Sequence, residues 1–342
     1  RDSVVNLGIS LVPVEYLVVG IFIISAFMGT ATGTSMGTIA SIVPIAAGIA
    51  VKSGVSEAFM VAACVGGAMF GDNLSMISDT TIAATKTQGC ELRDKFKVNF
   101  KIALPAAIIT ILLLFFFGQP EATVTIGNLD YNLITIIPYI AVFGLALLGV
   151  NVFLVLVSGI ALAGAIGIIG FDMTIISFAQ NIWDGFTAMN EAFFLALFCG
   201  GISEMIAYYG GIQWLITKLN HMIKGTKSAQ LCIAFLVSLV DCATANNTVA
   251  IIISGGVVKD ISNAYDIDSR VTASLLDVFS CVLQGIIPYG AQLLTASALA
   301  TKNGILLSSI EIIPYMWYCW LLGIFGILFI FIPFAKLPIK KN

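Results

Sequence analysis

Four aspartates, Asp72, Asp79, Asp241 and Asp277, stand inside long apolar runs of the chain. At the centre of a lipid bilayer a charged side chain costs roughly 2.5–3.5 kcal/mol on insertion scales. An unpaired carboxylate in that setting holds a proton, and a cation bound beside it displaces the proton. Alternation between the two states is the chemistry of trading a proton for a hard cation. The sequence neighbours suit such a cation. Thr32, Thr34, Ser35, Asn73, Ser75, Ser78 and Thr80 accompany the first two acids, and Thr244, Asn246, Asn247, Thr248, Gln292 and Thr295 accompany Asp241. Carboxylate, hydroxyl, amide and carbonyl oxygens are what Na+ takes, in preference to thiols. The expected Na+ ligands are Asp72, Asn73, Asp79, Asp241 and Asn246, with Asp72, Asp79 and Asp241 carrying proton or cation in turn. Asp277 reads instead as a capping or packing acid near a helix start. Glu204, after Gly200-Gly201, is a further candidate for an inner cavity. No Lys or Arg falls in this set, which counts against a di-anionic ligand.

The elements that position these residues must be membrane helices. Of 342 residues 59% are hydrophobic and only 10% charged, and the mean hydropathy is +1.02, whereas soluble domains carry about 25% charged residues. In lipid every backbone polar group needs an internal partner, which leaves helices or a closed barrel. The apolar segments are continuous rather than alternating, so helices are expected. A net charge of -3 without a basic concentration excludes a nucleic-acid partner. The seven cysteines form no CxxC pair and read as small buried hydrophobes. His221, the only histidine, lies in a polar loop, so no zinc or haem site is expected. No P-loop, kinase or hydrolase motif occurs, so work must be driven by an ion gradient. No cofactor is expected, Na+ being the transported or coupling ion.

Along the chain one order of features occurs twice. Residues 12–51 are apolar but interrupted at Gly29 to Gly37, and 57–87 are interrupted at Gly71 to Asp79; an unbroken span covers 102–118. Residues 229–258 are interrupted at Asp241 to Thr248, and 271–302 at Pro288 to Gln292; a final span covers 312–334. Ala31-Thr32 aligns with Ala243-Thr244, and Ala84-Thr85-Lys86 with Ala300-Thr301-Lys302. Between the repeats, residues 119–216 hold an acidic loop and three spans, at 134–150, 152–170 and 192–216, with a more polar stretch at 171–191. The positive-inside rule sets orientation. With 12–51 and 229–258 as re-entrant hairpins, loops 86–101, 217–228, 258–270 and the C-terminus are cytoplasmic. Only Arg1, Lys52 and Lys302 of the 16 Lys and Arg residues then lie outside. The expected fold is thus an all-α polytopic membrane protein of two inverted repeats, residues 1–118 and 217–342, with re-entrant hairpins and discontinuous helices around a scaffold at 119–216. Two hairpin tips and two helix breaks would meet near the midplane, where irregular backbone survives only if packed in protein or lining a wet cavity.

Other features read as packing. Phe115-Phe116-Phe117 and the group Tyr315, Trp317, Tyr318 and Trp320 are lipid-facing or interfacial aromatics. Gly164, Gly167 and Gly170 mark close helix packing or a dimer surface.

The string Gly29-Thr-Ala-Thr-Gly-Thr-Ser-Met-Gly-Thr38, followed by Gly67-Ala-Met-Phe-Gly-Asp-Asn-Leu-Ser-Met-Ile-Ser-Asp-Thr80, resembles the NhaC family of Na+/H+ antiporters. Asp241 to Thr248 and Gly285 to Gln292 are similar to that family's C-terminal repeat. The family includes sodium-lactate/malate exchangers and sodium-coupled amino-acid carriers. The resemblance implies an ion-transporter fold with a scaffold domain, often a homodimer, and a transport domain that moves like an elevator in the cell membrane. Members are longer at the N-terminus, so this chain, which opens on Arg1, reads as lacking such a portion. Beside exchange of Na+ for H+ stands a second expectation, Na+- or H+-coupled carriage of a small organic anion or amino acid. In that case Asn246, Asn247 and Gln292 would receive a carboxylate, aided by helix N-termini. A channel or an intramembrane protease fits less well.

Overall fold

A computed structural model describes residues 16–119, 132–188 apart from 149 and 151, and 223–332, with isolated positions at 7, 198, 201, 205 and 208–210. Helices make up almost all of it. α1 (Leu17–Thr32) and α2 (Ser35–Ser53) are followed by α3 (Glu57–Leu74), α4 (Asp79–Gln88) and α5 (Leu92–Phe117). α6 (Ile137–Leu147), α7 (Val152–Gly170) and α8 (Ile175–Ala188) come next. α9 (Thr226–Thr244), α10 (Asn247–Ala264), α11 (Ser269–Gln284), α12 (Ala291–Lys302), the short α13 (Ser309–Ile312) and α14 (Trp317–Phe331) complete the order. Four stretches among the described residues are long and apolar enough to cross a membrane: Glu57–Gln88, Leu92–Phe117, Phe153–Gly170 and Thr226–Thr244. Ser309–Tyr315 with Trp317–Phe331, bent by 54°, makes a fifth.

The breaks foreseen in the sequence fall where the small and polar residues are, and they are built alike. α1 ends on Gly33 in the left-handed region (φ 70, ψ 24), and α9 ends on Ala245 in the same region (φ 51, ψ 28). The next residues, Thr34 and Asn246, are extended at φ -149 in both cases, and their side chains cap Gly37 N and Val249 N. Thr32 and Thr244 each donate a hydroxyl to the carbonyl four residues back, Met28 O at 2.8 Å and Val240 O at 2.9 Å. At the second pair of breaks, Ser78 (φ -64, ψ 142) and Gly290 (φ -66, ψ 143) precede α4 and α12. The breaks thus match in backbone conformation more closely than in residue identity. Gly33 meets the left-handed requirement without cost, whereas an alanine pays about 1–2 kcal/mol there.

Helices from the two ends of the chain interlock. α4 packs on α10 and α11, and α12 packs on α2. α1 lies against α3 with almost no side chain between them: a Cβ on Gly67 would stand 2.3 Å from Phe22 O, and one on Gly71 would stand 2.5 Å from Gly29. Of the 18 most apolar consecutive residues within Glu57–Gln88, 94% are buried, against 33% within Leu92–Phe117. Exposed Phe116 and Phe117 and the outward Ile108 and Leu112 of α5 are the surface that lipid would cover. α6, α7 and α8 form a second group. There a Cβ on Gly164 would meet the Phe178 ring at 2.4 Å, and one on Gly167 would meet Met173 at 2.9 Å. Those two glycines thus serve packing within the chain.

Several boundaries differ from expectation. Leu92–Lys101 is helix rather than loop, because α5 begins ten residues before the apolar run does; the amphipathic first turns hid it. α10 continues to Ala264, which shortens the loop expected at 258–270 to 265–268. The polar stretch at 171–191 contains α8. Asp277 is in the middle of α11, whose actual cap is Asp268, accepting from Arg270 N at 2.9 Å. Tyr318 is no interfacial anchor, being 1% exposed. The span at 192–216, Glu204, His221 and most of loop 217–228 lie outside the described residues.

The α1–α3 contact yields a direct test. Gly67→Val overpacks a backbone-to-backbone contact and is expected to cost about 1–3 kcal/mol or more. Gly48→Ala, where an added methyl meets nothing within 4 Å, is expected to be neutral or to gain up to about 1 kcal/mol of helix propensity. Thermal unfolding in detergent checks this, and equal losses in the two variants would refute the packing argument.

Candidate functional site

A helix that stops in mid-membrane leaves carbonyls at its end and amides at the next start. The break between α3 and α4 satisfies some of these from distant elements. Ser75 Oγ donates to Thr30 O at 2.9 Å and accepts from Ile77 N at 3.3 Å. Ser78 and Thr80 hydroxyls pair at 2.8 Å. The Asn73 carbonyl accepts from Asn99 Nδ2 at 2.9 Å and from Lys95 Nζ at 3.4 Å.

Two carboxylates flank this break and reach helices far apart in the chain. Asp72, 2% exposed, accepts through Oδ1 from Ser35 N at 2.9 Å, the first amide of α2. Asp79, the first residue of α4, accepts from Thr80 N at 3.0 Å and from Thr248 Oγ1 at 2.8 Å, the latter in the first turn of α10. Both acids therefore stand at helix N-termini, where amide dipoles favour negative charge. Asp79 is exposed, and Asp72 and Asp277 share its electrostatic field.

A second line of polar groups joins the two tips. Ser35 Oγ accepts from Gln292 Nε2 at 3.2 Å. Gln292 Oε1 accepts from Gln284 Nε2 at 2.6 Å, and the same Gln284 nitrogen donates to Ala245 O at 3.0 Å. Ser35, Gln292, Gln284 and Ala245 thus link three of the helix breaks through polar contacts.

Not every expected ligand enters it in the same way. Thr32, Thr34, Thr244 and Asn246 spend their side chains on the helix ends described above. Asn247 Oδ1 accepts from Thr248 N at 3.0 Å, and its amide faces Cys281 Sγ at 3.7 Å. Thr295 is half-buried on α12. Asp241 is fully buried, and neither of its carboxylate oxygens has a hydrogen-bond partner among the described residues. Among those residues no group of three or more His, Cys, Asp or Glu side chains converges to hold a metal. A cation here would meet one or two carboxylates and otherwise neutral oxygens, which suits a single positive charge.

The sequence reading missed the most polar contact of all. Lys95, assigned to a basic loop, is wholly buried on α5 and pairs with Asp277 at 2.8 Å. Asp277 Oδ2 also accepts from Asn99 Nδ2 at 2.6 Å and from Asn73 Nδ2 at 3.3 Å. Tyr318 donates its hydroxyl to Asn73 Oδ1 at 2.8 Å. A cation therefore does lie beside the predicted site. The signal was present in helical spacing: Lys95, Asn99, Ile102 and Ala106 recur at intervals of three and four along the buried face of α5.

Residues 4–119 and 121–334 match the Na+/H+ antiporter family. The chain is 26% identical to the malate-2H+/Na+-lactate antiporter of Bacillus subtilis (strain 168), over 92% of its own length and 73% of that protein's. It is 25% identical to the Na+/H+ antiporter NhaC of the same organism, over 89% and 73%. It is 24% identical to the arginine/ornithine antiporter ArcD of Halobacterium salinarum, over 81% and 65%.

Exposure separates the acids experimentally. In a chain freed of its own cysteines, Asp79→Cys is expected to react with a charged, water-soluble thiol reagent much faster than Asp72→Cys or Asp241→Cys. Mass spectrometry of the labelled protein reads the difference. Equal rates at all three would mean that Asp79 does not face water.

Proposed function

The chain belongs to the Na+/H+ antiporter family, and we propose that it exchanges Na+ for H+ across the cytoplasmic membrane by alternating access. The observation that carries this reading is the first break, where Asp72 and Asp79 each bond the N-terminus of a helix in a different copy of the repeat. Na+ entering that cluster draws on Asp72, Asn73 and Asp79, with Thr248 beside it, and displaces the proton that a desolvated carboxylate otherwise keeps. Asp241, buried without a partner among the described residues, is the second carrier, since nothing but a proton or a cation relieves its desolvation.

The copies are inverted in this reading, with one hairpin tip reached from each side and the Lys- and Arg-bearing loops in the cytoplasm. Alternation is elevator-like, the bundle of broken helices moving against α6–α8 in each protomer of a homodimer.

A second reading, coupled exchange of a small organic anion or amino acid, is favoured by two of the similar proteins, named for malate/lactate and for arginine/ornithine exchange. The buried cation does not supply an anion receptor in this case. Lys95 is already neutralised by Asp277, so a carboxylate substrate would rely on amides such as Gln292 and on helix N-termini.

Purified protein in liposomes with a trapped pH dye decides between them. Proton efflux on addition of Na+ alone, abolished in Asp79→Asn and Asp241→Asn, is the expected result. Thr248→Val removes one hydrogen bond to Asp79 and is expected to shift half-saturating Na+ by several-fold up to about tenfold, equivalent to about 1.4 kcal/mol. Because proton and Na+ compete for the same carboxylates, lowering the pH should raise half-saturating Na+. Efflux that waits for an added organic acid or amino acid would replace the first reading with the second.

A further inference from the structure

The Lys95 ammonium sits in a cradle made wholly of oxygens. It contacts Asp277 Oδ2 at 2.8 Å, Thr81 Oγ1 at 2.6 Å and the Asn73 carbonyl at 3.4 Å. A carboxylate, a hydroxyl and a carbonyl freed by a helix end are the donor types that a bare alkali cation takes inside a membrane. The cradle is dry, with Lys95, Asn99 and Asp277 each fully buried. Asn99 Nδ2 donates to the same Asp277 Oδ2 at 2.6 Å, and Asp277 Oδ1 and Asn99 Oδ1 have no hydrogen-bond partner among the described residues. Ordinary packing of a buried ion pair explains the Lys95–Asp277 contact. It does not explain why two further acceptors on these fully buried residues lack partners among the described residues, where an unmet polar atom costs about 1–3 kcal/mol.

We infer that Lys95 is a tethered cation filling a second cation site, made by Asp277, Asn99, Thr81 and the Asn73 carbonyl beside the first helix break. This rests on the reading of the break as a Na+ site and extends it. The mobile Na+ is confined to the Asp72 and Asp79 side of the break, because the other side carries a positive charge that cannot leave. Asp277 is thereby excluded from the carriers. Lys95 acts through position and charge and touches no transported ion.

The test is Na+-dependent thermal stabilisation of the purified full chain, with choline chloride at equal ionic strength as the reference. A ligand that binds only the folded state raises Tm with its concentration. In the wild type the Na+-dependent rise reports the mobile site, and Asp79→Asn should remove it. Lys95→Met in the Asp79→Asn background is expected to restore a rise in Tm specific to Na+, as the ion replaces the missing ammonium. Adding Asp277→Asn should abolish that rise again. A chain carrying Lys95→Met that folds only when Na+ is present supports the inference as well. It is overturned if Lys95→Met gains no Na+-dependent shift, or if it fails to fold with Na+ present and recovers only when Asp277 is also neutralised. A wild type without any Na+-dependent shift speaks against the proposed function alone, since the Lys95→Met comparison does not need it.

Discussion

Interrupting a helix inside a membrane is tolerable only if each freed amide and carbonyl finds a partner that is not water, and much of this fold follows from that demand. The partners come from far along the chain. Thr30 O is met by Ser75, Asn73 O by Asn99 and Lys95, Ala245 O by Gln284, and Cys242 O by the Tyr289 hydroxyl at 2.8 Å. The Ser35 amide is met by Asp72. Each break is thus completed by another, so none of the four is a finished structure alone. The oxygen-rich site is what remains at the point where these mutual obligations converge.

Close approach is the second condition. For Ser75 to reach Thr30, the backbones of α1 and α3 must nearly touch, and Gly67 and Gly71 permit this. The same contact brings Asp72 to the start of α2. Packing and chemistry are therefore not separable in this region. The acids then divide by environment rather than by type. Asp277 has a lysine and two amides, so its charge is settled within the protein. Asp72 and Asp79 have amide and hydroxyl donors but no fixed cation, and Asp241 has no partner among the described residues. Asp72 and Asp241 are buried carboxylates without a fixed counter-charge, the condition under which a mobile cation is worth binding.

The positions of the breaks were legible in the sequence because Gly, Thr, Asn and Asp in an apolar run have few other uses. Asp72, Asp79 and Asp241 are proposed as carriers on the same ground. The Lys95–Asp277 pair was not. A lysine flanked by Asp94 and Lys97 resembles a solvated helix start, and composition cannot tell which face of the first turns of α5 is turned inward. Tyr318 was misplaced by similar logic, since its neighbours Trp317 and Trp320 are more exposed and it alone points at Asn73. Both errors concern residues whose partners are more than 180 positions away, where local pattern carries no information. The polar clusters could be found by type, but their wiring could not.

The surroundings of the site bear on how it could be exposed to each side in turn. A cavity of about 470 Å³ is lined by Ala31, Thr32 and Ile77 on one side and by Tyr139, Val142 and Ile160 of α6 and α7 on the other. Its walls are largely apolar, so shifting one wall past the other trades dispersion contacts for similar ones. Within the bundle the opposite holds. Separating α4 from α10 would break the Asp79–Thr248 bond, and separating α12 from α2 would break the Gln292–Ser35 bond. A displacement that keeps the broken helices together as one body against α6–α8 therefore leaves both of these bonds intact.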